Sequence, residues 1–179
     1  MATSDSPKKA KSYAGAVWRE MSVNDVEGLL RVADKVHPDL PESGSVFAER
    51  AKLFPRGCMV LVAGSDIVGY AISHPINYRE PPKLDTLLEQ ISPSADQYYI
   101  HDLAILSAFR GNGRAAECIQ KLLAVAKSFP TTCLVSVYGT APFWGRFGFK
   151  SNLIDATLTE KLRDYGDDAK YLERKNRLL

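Results

Sequence analysis

The segment Arg110-Gly111-Asn112-Gly113-Arg114-Ala115-Ala116 carries the most specific chemical signal in the chain. It follows the apolar run Tyr99-Ile100-His101-Asp102-Leu103-Ala104-Ile105-Leu106 and opens a stripe of Ala115, Ile119, Leu122, Leu123 and Ala126 at helical spacing. A glycine turn at a helix start offers N–H groups that have no intrahelical acceptor, at the positive end of the helix dipole, and so suits a phosphate. Glycine also lets the backbone approach such a ligand without a Cβ in the way. For proton transfer near neutral pH the natural side chain is histidine. The chain has His37, His74 and His101, and His101 lies on the run that feeds the turn.

Two common phosphate loops fit poorly. A nucleoside triphosphate loop needs Lys and then Ser or Thr after its second glycine, where Arg114 and Ala115 stand here. The dinucleotide pattern is matched by Gly111, Gly113 and Ala116, but it needs an acid about 20 residues on to hold a ribose. No Asp or Glu occurs from Cys118 to Ile154, and the turn follows a hairpin signature rather than a first parallel strand. From Leu103 to Lys150 the cations Arg110, Arg114, Lys121, Lys127, Arg146 and Lys150 face only Glu117, a balance that suits an anion. Lys121 and Lys127 read as solvated helix-face cations, whereas Arg110 and Arg114 sit in the turn itself.

The elements that must position these groups follow from periodicity. Val17 to Met21 reads as a strand, and Asn24 with Glu27 as the start of a helix striped by Val26, Leu29, Leu30 and Ala33, ended by Pro38 and Pro41. A second helix should run from after Ser45 to before Pro55. Cys58 to Ala63 and Ile67 to Ser73 flank Gly64-Ser65-Asp66 as a hairpin. Pro75 to Gln97 is a long connection with one expected helical turn around Leu84, Leu87 and Leu88; connections of that length are usually functional. Cys133 to Tyr138 reads as a buried strand, Ala141 to Phe147 as a short helix, and Phe149 as the start of another strand. A helix at Leu158 to Leu162 and a last strand at Ala169 to Lys175 complete the pattern. A hairpin followed by strands flanking a helix argues for a mixed sheet with helices on both faces.

At 179 residues, with 45% hydrophobic and 25% charged residues, the chain suits one globular domain. A net charge of +2 does not point to nucleic acid, and no apolar run is long enough to span a bilayer. Residues 1–15 read as a disordered tail, without the apolar core of a secretory signal, leaving residues 16–179 as the domain. Cys58, Cys118 and Cys133 are widely spaced and flanked by apolar residues. They predict buried thiols in a cytoplasmic or nuclear protein, with no zinc motif and no metal site.

Taken together, Arg110, Gly113 and Ala115 match the (Q/R)xxGx(G/A) signature of the GNAT superfamily of N-acetyltransferases, which the chain resembles from about Trp18 to Lys175. Trp144, Gly148 and Phe149 match its second signature, an aromatic residue, three residues, then Gly-Phe. The resemblance implies a single α/β (α+β) domain with a mixed, mostly antiparallel twisted sheet. It also implies acetyl-CoA as co-substrate and direct attack by an amine in a ternary complex. On this reading Arg110, Gly111, Asn112, Gly113, Arg114, Ala115 and Ala116 hold the pyrophosphate. The backbone of Leu103, Ala104 and Ile105 pairs with the pantetheine arm, which Phe143 and Trp144 line. The run His101 to Ile105 resembles the strand of arylalkylamine N-acetyltransferases, whose matching histidine helps remove the amine's proton; a structural, buried His101 is the alternative. Strict alternation puts Asp102 on the face opposite His101. Many relatives carry Tyr where Trp144 stands, and an indole N–H is far too weak an acid to protonate a thiolate, so either another group serves, with Tyr138 the candidate, or the thiolate leaves unassisted into solvent. His37, Asp39, Glu42 and Tyr99 are candidates for the acceptor pocket, whose acids suit a cationic amine. The partner expected is therefore a small-molecule amine rather than nucleic acid or membrane. A non-catalytic acetyl-CoA sensor, a protein lysine or N-terminal acetyltransferase, and a homodimer stay open.

Overall fold

The two alternating runs around Gly64-Ser65 do form a hairpin, which supplies the second and third strands across a seven-stranded sheet. The computed structural model describes residues 15–177, so nearly all of the expected tail, residues 1–15, lies outside the described residues. The strands are β1 (Val17–Glu20), β2 (Cys58–Ala63), β3 (Asp66–Ile76), β4 (Gln97–Ile105), β5 (Thr131–Ser136), β6 (Lys150–Ser151) and β7 (Lys170–Lys175). Their order across the sheet is β1-β2-β3-β4-β5-β7-β6. Every pairing is antiparallel except β4 with β5. Helices α1 (Val26–Val36) and α2 (Gly44–Leu53) cover one face, packing Leu29, Val32 and Phe47 on Tyr70 and Ile72. Helices α3 (Arg114–Ala126) and α4 (Ala141–Gly145) cover the other, where Ile119, Leu122 and Trp144 meet Tyr98, Ile100 and Leu134. A short α5 (Ala156–Leu162) starts at Asp155, whose side chain accepts the Leu158 N–H at 2.8 Å.

Four local readings change. The first helix is entered through Ser22 and Asp25, not Asn24 and Glu27: the Ser22 N–H donates to Asp25 Oδ2 at 2.8 Å, and Arg19 clamps the same carboxylate at 2.7 and 2.8 Å. β3 runs three residues past Ser73, through Pro75 to Ile76. Proline is tolerated there because β2 pairs with β3 only as far as Ile72, so the edge that lacks an N–H has no neighbour. Segment 77–96 contains no helix; a non-helical turn at Leu84-Asp85, with Asp85 at φ +55°, stands where it was expected. Finally, β5 ends at Ser136, and Tyr138 lies beyond it at φ +54°.

The irregularity that matters most is in β4. Opposite β3, Ile72 pairs with Asp102 while Ser73 pairs with Ile100, so His101 is an extra residue in a β-bulge. The bulge breaks the alternation. Ile100, Leu103 and Ile105 pack toward α3, whereas His101 and Asp102, although consecutive, both face the side of α1 and α2. At the same place β4 parts from β5: their pairing runs only from Tyr98–Thr132 to Ile100–Leu134, although both strands continue.

Candidate active site

The parting of β4 and β5 opens a cavity of about 840 Å³. Its floor is the edge of β4 from Ile100 to Ile105, unpaired with β5 beyond Ile100, together with Leu134 and Val135 of β5. One end is the glycine turn. Gly111 at φ +88° and Gly113 at φ +73° take the left-handed backbone that side chains avoid, and a Cβ built on either meets nothing within 4 Å. Gly113 is the N-cap of α3, no side chain caps that helix, and Arg114, Ala115 and Ala116 line the cavity at its first turn. The Arg110 Nε donates to the Ile105 carbonyl at 2.8 Å, which holds the guanidinium beside the turn. Arg146 lines the same region, its guanidinium 5.0 Å from the centre of the Phe143 ring.

The other end is built from side chains. His37 follows α1, and its Nε2 bonds Asp102 Oδ1 at 2.8 Å. The Tyr70 hydroxyl donates to the second Asp102 oxygen. His101 Nε2 bonds Glu42 Oε1 at 2.6 Å. Two imidazole–carboxylate pairs therefore tie the linker between α1 and α2 to the β4 bulge, and Tyr138 stacks on His37 with ring centres 5.7 Å apart and planes 8° from parallel. Burial pulls the His37 pKa down, but the hydrogen bond and charge of Asp102, with the charge of Glu42, raise it overall. Burial alone would raise the Asp102 carboxyl; its bond to His37 and that residue's charge hold it below the ordinary value. Burial, followed by the charges of Asp39, Asp102 and Asp168, raises the Tyr138 phenol. His74, fully buried behind the pairs, is pushed down to about 3 by burial.

A strap closes this end. Segment 77–96 is tied on one side to α2 and the linker before it: the Asp85 N–H donates to Glu42 at 3.0 Å, and the Leu88 and Glu89 N–H groups donate to Glu49 at 2.6 and 3.0 Å. The fully buried Arg50 donates to the Thr86 carbonyl at 2.8 Å. On the other side the Lys161 Nζ donates to the Pro81 carbonyl at 3.1 Å and the Tyr165 hydroxyl to that of Pro82 at 3.4 Å. Leu84 of the strap and Tyr165 both line the cavity.

Most of the residues singled out in the sequence meet here. His37, Glu42, His101, Leu103, Ala104, Ile105, Arg110, Gly111, Gly113, Arg114, Ala115, Ala116, Tyr138, Phe143 and Trp144 all line the cavity. Three do not. Tyr99 is fully buried in the core beside Cys133 and Tyr171, against the expectation of an acceptor wall. Asn112 and Asp39 are exposed outside the lining. Asp102, which alternation turned away from His101, lines the cavity beside it because of the bulge. Leu40, Thr140 and Arg146 also belong to the wall. The bulge has no glycine to mark it, so no sequence signal gives Asp102 away; Arg146 was visible only as part of the cation excess.

The model of the acetyltransferase (GNAT) family matches residues 26–149. No functionally curated protein sequence matches the chain. Among solved structures, Ard1 from Thermoplasma volcanium is 18% identical with a TM-score of 0.65, over 92% of this chain and 98% of that one. The loading GNATL domain of CurA from Lyngbya majuscula is 12% identical with a TM-score of 0.73, over 90% and 98%. Naa50 of Arabidopsis thaliana, solved with the bisubstrate analogue CoA-Ac-MVNAL, is 12% identical with a TM-score of 0.65, over 89% and 97%. At these identities the likeness is one of fold.

Proposed function

The chain belongs to the GNAT acetyltransferase family, and from that premise we propose that it moves an acetyl group from acetyl-CoA to the primary amine of a small molecule, by direct attack in a ternary complex. The observation that carries this reading is a single cavity joining a backbone anion cradle to two imidazole–carboxylate pairs. The cradle fits a diphosphate: Gly111 and Gly113 leave open space above a helix start with no side-chain cap. Arg110 and Arg114 add charge there. The acetyl-CoA thioester supplies an activated acyl carbonyl; the rest falls to the protein.

The β4 edge from Leu103 to Ile105 has no strand partner on the β5 side, so the main-chain groups that point to that side, apart from the Ile105 carbonyl held by Arg110, are available to align the pantetheine arm and to stabilise the carbonyl oxygen as it gains charge. An ammonium has no lone pair, so its proton must be removed, and the two imidazole–carboxylate pairs supply the candidate base, His37 or His101. Tyr138, at the cavity mouth, is the group that returns a proton to the departing thiolate, a task the Trp144 indole cannot perform. The strap favours a small acceptor over a polypeptide, because Leu84 and Tyr165 wall the cavity at the end that holds the two imidazole–carboxylate pairs. The charges of Asp39 and Asp168 near Tyr138 favour a cationic one.

Incubation with acetyl-CoA and a panel of benzylamine, putrescine, glycine and an N-terminal peptide tests this, read by free-thiol release and by the mass of the product. Acetylation of a small amine, with the peptide left unmodified, is the expected result. Tight acetyl-CoA binding without turnover on any amine would instead support a sensor, the reading favoured by Trp144 at the acid position.

A further inference from the structure

We propose that His37, and not His101, is the group that takes the proton from the acceptor amine, with His101 and Glu42 holding it in place; this rests on the acetyl-transfer reading above. The two imidazoles differ in what surrounds them. The His101 side chain is 1% exposed and its Glu42 partner 4%. Its ring is boxed in by Tyr99, with centres 5.6 Å apart, and by His74 at 6.4 Å. The His37 side chain is 13% exposed and lies a layer nearer the opening, against Tyr138.

The His37 ring is fixed in position and in proton location. Asp102 accepts from Nε2 and is itself fixed by the Tyr70 hydroxyl, so neutral His37 carries its hydrogen on Nε2 and its lone pair on Nδ1. That Nδ1 has no hydrogen-bond partner among the described residues, and the residue lines the cavity. His101 Nδ1 is likewise unpartnered, so what separates the two rings is the deeper burial of His101 and its enclosure by Tyr99 and His74. This is the arrangement a general base needs: a carboxylate orients one nitrogen and the other accepts. The segment that carries His37 is also immobilised. It contains Pro38 and Pro41, the Leu40 N–H closes a turn onto the His37 carbonyl at 3.1 Å, and the Glu42–His101 bond anchors its far end to the residue next to Asp102. In the step itself the ammonium N–H proton passes to Nδ1 and the electron pair stays on the amine nitrogen. As the C–N bond then forms, the C–S bond breaks with its pair going to sulfur, and the second N–H proton is the one that sulfur finally takes up.

The groups facing His37 set its titration: Asp102 and the Tyr70 hydroxyl behind it, Glu42 from its own linker, Arg110 from the glycine turn and Tyr138 on its face. Nitrogen-15 NMR of the histidines in the ligand-free protein should show neutral His37 as the Nε2–H form with a pKa above its ordinary value, and Asp102→Asn should move that pKa down. With acetyl-CoA and whichever small amine of the panel turns over, His37→Gln should lower kcat/KM by about 100-fold and remove the acid limb of its pH profile, with the Kd for acetyl-CoA unchanged. His101→Asn should lower kcat/KM and melting temperature together but keep the acid limb. An Nδ1–H tautomer for His37, or an acid limb that survives His37→Gln and disappears in His101→Asn, would overturn the assignment. Loss of acetyl-CoA binding by the wild-type protein would instead remove the acetyl-transfer reading, and the NMR result would still decide which imidazole is poised to accept a proton.

Discussion

The two ends of the cavity are made in opposite ways. The proposed donor end is a contiguous stretch, Arg110 to Ala116, that would work through backbone N–H groups at a helix start and has two glycines at positive φ. The acceptor end gathers side chains from β3, the α1–α2 linker, the strap, the β4 bulge, the β5–α4 connection and the turn after α5. A backbone cradle depends on local conformation and tolerates change in nearby side chains. A side-chain site depends on long-range register and on each charge keeping its partner. The first should therefore fail through backbone substitution, and the second through pairing and pH.

The largest effect is expected at the donor end. Gly113→Asp places a Cβ at φ +73° and a negative charge where a diphosphate would bind; calorimetry should show acetyl-CoA affinity falling by more than about 100-fold, from strain of roughly 1–3 kcal/mol and like-charge repulsion together. Affinity retained within a few-fold would mean that the cradle is only a turn.

Next comes the acceptor pair. Asp102→Asn leaves His37 without its anion and should destabilise the fold by about 3 kcal/mol near pH 5.5, as for a broken buried pair. The sign follows from both partners. His37 has a raised folded pKa, so its stabilisation is full below its unfolded value, about 6.5, and fades as pH rises through the folded value. Asp102 has a lowered one, so its share is present above about 3.9 and fades as pH falls through the folded value. Urea unfolding should therefore show a smaller penalty at pH 8.5 than at pH 5.5; an equal penalty would mean that the pair is not ionic.

His74 tests the layer beneath. With a folded pKa of about 3 against an unfolded value near 6.5, it binds fewer protons folded than unfolded in that window, so stability drops as pH falls through it. Between pH 7.5 and 5 the wild type should lose about 2 kcal/mol from this group alone, and His74→Gln should remove that part of the slope. The smallest effect is expected of Lys121→Ala. Lys121 is an exposed cation on α3 outside the cavity, and its loss should change acetyl-CoA affinity less than about twofold; a larger loss would extend the anion site along the helix.

The donor end was legible in the sequence because its cause is local. Glycines between a strand run and a helical stripe specify a turn at a helix start, and Gly111 and Gly113 occupy the left-handed backbone that only such a turn requires. The hairpin, α3 and α4 were legible for the same reason. His37, Glu42 and His101 could be named as candidates, but not paired, since 59 residues separate Glu42 from His101 and 65 separate His37 from Asp102.

What the sequence determined by itself is most of the elements and the glycine turn at the start of α3: periodicity of 2 or 3.6, glycine punctuation and charge balance are all read within a window of some twenty residues. What only the tertiary structure decided is the acceptor chemistry. One unmarked extra residue in β4 turns His101 and Asp102 to the same face, and it appears only when β3 is laid against β4. Likewise the end of the β4–β5 pairing at Ile100 and Leu134, which opens the cavity, is a property of two strands more than thirty residues apart. Register and strand separation are set by the packing of both sheet faces at once, and no single segment carries that information.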